Sequence, residues 1–209
     1  VEEDVRSSKL PNVVCTLPGR SEEVIVVGAH YDKTNRGEGV FDNWSGASML
    51  ASLYEGLAAT SRRYTYVFIG FSDEEKGLIG FRSHTRQYKN DAPKPLAMIN
   101  LDSLGRAAPS VAVANSDERL VQSLYFVAEA LNLPFEFVNF GRGISTDSES
   151  FRERKIPVIS LHSVRQGDLQ LLHTAADQIS LLDQSVYWDT YRLVLAYLTY
   201  LDQTWLPAE

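Results

Sequence analysis

Apolar residues fall into two patterns that alternate along the chain. The first is the short unbroken run: EVIVVGA at 23–29, YTYVFIGF at 64–71, LAMINL at 96–101 and PVISL at 157–161. Such runs, rich in β-branched and aromatic residues, predict strands buried on both faces. NVVCTL at 12–17 is followed by a Pro-Gly turn signal and predicts another strand; 110–114 and 135–138 predict shorter ones. The second pattern is helical. Ser45 reads as an N-cap, and behind it Met49, Leu50, Leu53, Tyr54 and Leu57 share one face. Helices are predicted over 78–89, 118–131 and 184–204. Strand and helix in alternation predict an α/β fold, a three-layer sandwich with a mainly parallel, mixed central sheet and helices on both faces.

No repeat, low-complexity tract or long linker divides the 209 residues, so a single domain over 1–209 is expected. With 44% hydrophobic and 22% charged residues the composition is that of a globular protein. The net charge of -7 and the lack of a basic cluster exclude nucleic acid as a partner and give no attraction to anionic lipid. No run reaches the roughly 18 apolar residues of a membrane span. The most apolar stretch, 191–201, is interrupted by Arg192 and Thr199. Cys15 is the single cysteine, which rules out an intrachain disulfide and any multi-cysteine metal site. The chain opens at Val1 with neither methionine nor a signal-peptide pattern, as expected of a mature or trimmed fragment.

Candidate chemistry sits where the predicted strands end. His30 and Asp32 follow the run at 23–29, and the next loop carries Asp42. Glu74 and Glu75 follow 64–71, and Asp102 follows 96–101. In open α/β sheets the carboxyl ends of strands form sites. Imidazole and carboxylate suit zinc, and cobalt or manganese would fit the same donors. Paired ions activate a water, and hydrolysis also needs a base for its proton. An adjacent Glu-Glu pair can divide that work, one carboxylate on the metal and one facing the water. Taken singly, each residue has an ordinary role: Asp42-Asn43 a turn, Glu74-Glu75 a solvated charge run before a helix, Asp102 a turn residue, His173 a loop residue. Their joint order at strand ends argues for a site.

The motifs in order are Gly28-Ala29-His30-Tyr31-Asp32, Asp42-Asn43-Trp44-Ser45-Gly46, Asp73-Glu74-Glu75 with Gly77-Leu78 and Gly80, Asn100-Leu101-Asp102, and His173-Thr174-Ala175-Ala176-Asp177. Across about 12–179 the chain resembles the co-catalytic di-zinc aminopeptidases of the bacterial leucyl aminopeptidase type. The resemblance implies a zinc-exopeptidase fold and two zinc ions bridged by Asp42. His30 and Asp102 would complete one ion, Glu75 and His173 the other. Glu74 would be the general base and acid, and Asp32 would orient His30. Substrates would be peptides or small proteins with a free N-terminus, and many members of the family work outside the cytoplasm, secreted or periplasmic.

The chain departs from the family pattern in places. Asp147 is followed by Ser148 where a Ser-Asp-His step is usual, Lys155 replaces a glycine before Ile156-Pro157, and the last motif lacks its usual proline. A substrate pocket is expected from loops around 140–151 and 161–172, which carry Phe140, Ile144, Phe151, Leu161, Leu169 and Leu171, with Asp147, Phe151 and His162 as candidate contacts. His84, among Arg82, Arg86 and Lys89, is expected on a solvated helix face. Three other readings remain open: a single-zinc glutaminyl cyclase, a relative that forms pyroglutamate from N-terminal glutamine; a binding domain that has lost its metals; and an aminoacylase or carboxypeptidase with related metal chemistry. The intact five-ligand set favours the peptidase.

Overall fold

Each central strand splits its side chains between two cores, which is why its sequence reads as one apolar run. The computed structural model describes residues 1–88, 93–139 and 148–205. In strand β3 (Val24–His30), Ile25, Val27 and Ala29 enter one core, and Val26 enters the other. Strand β4 (Thr65–Phe71) divides likewise, Tyr66 and Phe68 against Ile69 and Phe71. The same alternation runs through β5 (Ala97–Leu101) and β8 (Val158–His162). The period-2 geometry of a strand imposes this division wherever both faces are covered.

The larger core lies under three helices. Helix α1 (Ser45–Ala58) buries Met49, Leu50, Leu53 and Leu57; α3 (Glu118–Ala130) buries Leu120, Leu124 and Val127; α5 (Gln184–Thr204) buries Leu193, Val194, Tyr197, Leu198 and Leu201. Asp117 and Asp183 cap α3 and α5, each accepting from two backbone amides of the first turn. The opposite core holds Leu78 and Phe81, beside and within α2 (Ile79–His84), with Phe151 of the short helix α4 (Glu149–Arg152).

The sheet is completed by β1 (Glu2–Glu3), β2 (Asn12–Leu17), β6 (Ser110–Ala112) and β7 (Glu136–Val138), in the order β1-β2-β4-β3-β5-β8-β6-β7. The pairings β4–β3, β3–β5, β5–β8 and β6–β7 are parallel, and the other three antiparallel. The expected mixed, mainly parallel three-layer sandwich is what forms. No helix among the described residues is long and apolar enough to cross a membrane.

Several local expectations differ. Ser45 is not an N-cap: its hydroxyl donates to the carbonyl of Phe41 at 3.0 Å, and Asn43 Oδ1 accepts from the Gly46 amide at 3.0 Å in its stead. The helix expected over 78–89 is α-helical only through His84 and then tightens to a 3-10 turn over Thr85–Tyr88. There the Thr85 hydroxyl reaches back to the Arg82 carbonyl, the kind of side-chain competition that loosens a helix. His84 is not solvated. It is 5% exposed, with Nδ1 2.8 Å from the Glu3 carboxylate and Nε2 3.0 Å from the Tyr88 hydroxyl.

Candidate metal centre

Strands β4, β3, β5 and β8 are adjacent and parallel, so their carboxyl ends share one rim of the sheet. His30 is the last residue of β3, with Asp32 two residues on. Glu74 and Glu75 follow the end of β4, Asp102 follows β5 directly, and His162 ends β8. Asp42 arrives on the loop between β3 and α1. His173 arrives on the loop that precedes α5.

Five of these residues converge. Ligand-type atoms of His30, Asp42 and Asp102 lie within 4.8 Å of one another, and so do those of Asp42, Glu75 and His173. Asp42 belongs to both groups. Its Oδ1 is 3.0 Å from His30 Nε2 and its Oδ2 2.8 Å from His173 Nε2. His30 Nε2 is 3.8 Å from Asp102 Oδ1, and His173 Nε2 is 3.2 Å from Glu75 Oε2. His30 is buried, whereas the His173 side chain is 55% exposed, so the centre opens to solvent on the His173 side.

Asp32 organises the pieces. His30 Nδ1 lies 3.1 Å from the Asp32 carbonyl and 3.6 Å from its Oδ1. A carbonyl can only accept, so Nδ1 carries a proton, and Nε2 is the ring nitrogen that faces Asp42 and Asp102. The Asp32 carboxylate also accepts from the amides of Glu74 at 2.9 Å and Glu75 at 3.2 Å, which fastens the end of β4 to the end of β3. Asn43 does the same toward β5: its Nδ2 donates to the Leu101 carbonyl at 2.9 Å, and its Oδ1 accepts from the Ser103 amide at 3.2 Å.

The electrostatics call for cations. Asp32, Asp42, Glu75 and Asp102 surround two imidazoles, and among the described residues no lysine or arginine forms a salt bridge with them. Burial pushes the Asp42 carboxyl up, yet hydrogen bonds from His173 and His30 outweigh it and hold the group well below the usual carboxylate range. Glu75 is pushed up by burial and then by the Asp42 charge. The hydrogen bond to Asp42 raises His173. Glu75 Oε1 is buried and has no hydrogen-bond partner among the described residues. Clustered, poorly neutralised carboxylates of this kind are stabilised by divalent ions, and each group offers imidazole and carboxylate donors of the zinc type.

The expected substrate contacts fare differently. Burial lowers the His162 imidazole, and its Nδ1 stands 3.9 Å from Asp102 Oδ2, beside the centre. Phe151, expected on a pocket wall, is 0% exposed and packs its ring against Phe71, His84 and Tyr88 in the smaller core. Leu161 is likewise a core residue. Asp147, with Phe140 and Ile144, lies outside the described residues. Sequence reasoning gave no role to Asp177, which is 1% exposed and accepts from the amides of Phe41 at 2.8 Å and Asp42 at 3.3 Å. The sequence places it in a motif, four residues after a candidate ligand, but carries no local signal for partners some 135 positions away.

Comparison with known proteins gives a consistent picture. The model of Peptidase family M28 matches residues 12–198. A probable leucine aminopeptidase of Trichophyton verrucosum is 24% identical over 209 residues, covering 91% of this chain and 57% of that protein. The chain thus spans little more than half the length of this relative. Among solved structures, the LapA aminopeptidase of Legionella pneumophila superposes with a TM-score of 0.88 at 22% identity, over 99% of this chain and 58% of that one. BSAP, a zinc aminopeptidase from Bacillus subtilis, gives 0.79 at 21% identity, over 90% of this chain and 49% of that one. A glutaminyl cyclase of Tannerella forsythia gives 0.74 at 14% identity, over 97% of this chain and 83% of that one. At these identities the structural likeness establishes the shared fold.

Proposed function

The chain belongs to peptidase family M28, and on that premise we propose that it is a two-zinc aminopeptidase, removing the N-terminal residue from peptides or small proteins. The observation that carries this reading is the pair of ligand groups hinged on Asp42. His30, Asp42 and Asp102 would hold one ion, and Asp42, Glu75 and His173 the other. When bound, such an ion pair polarises the scissile carbonyl and makes an attacking water more acidic.

The chain's own residues supply the rest. Glu74 takes the water's proton on its carboxylate and returns it to the leaving amine, the general base and acid of the reaction. Its backbone amide is tied to Asp32 Oδ1, so the base is set against the same residue whose carbonyl fixes the His30 ring. His162 stands beside Asp102, and burial lowers its imidazole, which favours the neutral form next to the centre. The open side, at His173, is where a peptide enters.

The test is a metal count by elemental analysis after zinc reconstitution and dialysis, followed by assay on unblocked aminoacyl substrates. Two ions per chain and release of free N-terminal residues are expected. One ion with turnover of N-terminal glutamine would replace the reading with a cyclase. No bound ion would leave a binding domain on this scaffold.

A further inference from the structure

Neither segment that carries Asp42 or His173 is part of the sheet, and the two are hydrogen-bonded to each other. The Asp177 carboxylate accepts from the amides of Phe41 at 2.8 Å and Asp42 at 3.3 Å, and its carbonyl accepts from the Glu38 amide at 2.9 Å. Glu38 answers with its own carboxylate, which accepts from the Ile179 amide at 3.0 Å. The loops touch at Gly37, whose φ is +71° and where a Cβ would stand 2.2 Å from the Thr174 carbonyl; only glycine permits that approach. On the His173 side the turn is closed by Asp177 N to the Thr174 carbonyl at 3.2 Å and by the Thr174 hydroxyl to the Leu171 carbonyl at 2.7 Å.

Asp42 therefore has two anchors. Through Asn43 it is bound to the end of β5, next to Asp102. Through Asp177 it is bound to the loop of His173. His30 and Asp102 stand at strand ends and need no such help. We infer that Asp177 is a positioning residue for the metal pair, and that it governs the Asp42–Glu75–His173 group selectively, leaving the His30–Asp42–Asp102 group to the sheet. The inference rests on the two-zinc reading above.

The experiment is zinc titration of the metal-free full chain by calorimetry, with the parent, Asp177→Asn and Asp177→Ala side by side. The parent takes two ions. In Asp177→Ala one ion binds near parental affinity, and the other is weakened roughly 10–100-fold, the usual effect of removing an outer partner of a ligand. Asp177→Asn keeps one acceptor oxygen and falls between. A purely structural role would show instead as equal weakening of both ions, or as a lower melting temperature with both affinities unchanged; either result overturns the inference. Should Asp177→Ala not fold, the asparagine variant carries the same comparison. A parent that takes fewer than two ions fails the two-zinc reading itself, and that failure is visible before any variant is compared.

Discussion

Asp32 serves three groups with one residue: its carbonyl fixes the His30 ring, and its two carboxylate oxygens hold the amides of Glu74 and Glu75. Glu74 then stands beside a proposed ligand, Glu75, without being needed as one. Glu74→Gln keeps the size and the backbone bond to Asp32 but cannot take a proton. It is expected to bind zinc as the parent does while kcat falls by roughly 10²–10⁴-fold. Parallel metal analysis and kcat measurement check this, and an unchanged kcat would remove Glu74 from proton transfer. The five convergent residues were legible in the sequence because each follows a strand end or sits in a motif. Asp177 lay in a quoted motif, yet its role depends on Phe41 and Asp42, more than 130 residues away, and no local pattern reports such a contact. Phe151 failed as a pocket residue for a related reason: an aromatic in a loop-flanking turn has the same local signature on a pocket wall as in a core.

The packing of β3 between its neighbours leaves no room for a side chain at Gly28. A Cβ there would lie 2.5 Å from Phe71 Cε2 on β4 and 2.9 Å from Met98 Cε on β5. Gly28→Ala is expected to cost about 1–3 kcal/mol through overpacking, read from the midpoint of urea unfolding. No loss would show that the Phe71 ring gives way freely. At the edge, β1 is fastened through Glu3, whose carboxylate meets His84 Nδ1 at 2.8 Å and Asn12 Nδ2 at 3.4 Å. Burial raises the Glu3 carboxyl, but the hydrogen bond and charge of His84 outweigh it, so the net shift is downward. A lowered carboxyl contributes stability above its unfolded value, about 4.3, and loses it as pH falls through the folded value. Glu3→Gln should therefore melt below the parent near pH 6 and converge with it as the pH falls well below 4. A gap that persists under acid would assign the effect to packing. The long elements were legible because their apolar period runs over many residues. A two-residue strand has no period, and the burial of His84 depends on a partner 81 positions away.

At the scale of the whole molecule, strand order decides where the chemistry lies. Placing β3 between β4 and β5, with β8 beyond, sets four parallel ends side by side, and the loops from Asp42 and His173 close over that rim. The sequence made the strands and their ends legible, but the order across the sheet is fixed by helix packing on two faces, which a linear pattern does not encode. The five convergent residues come from positions spread between 30 and 173. No subset of neighbours along the chain can form the centre, so an ion finds little to hold until the sheet has assembled. On the two-zinc reading, zinc joins after the rate-limiting step. Stopped-flow measurements should then give the same refolding rate with and without the ion. With free zinc about 100-fold above a site's dissociation constant, that site adds about 2.7 kcal/mol, which appears as unfolding slowed by about 100-fold. Faster refolding with zinc would mean that part of the centre forms early. The metal would then be a lock on the finished fold and no guide to it, and losing it would shorten the lifetime of the native state without hindering its formation.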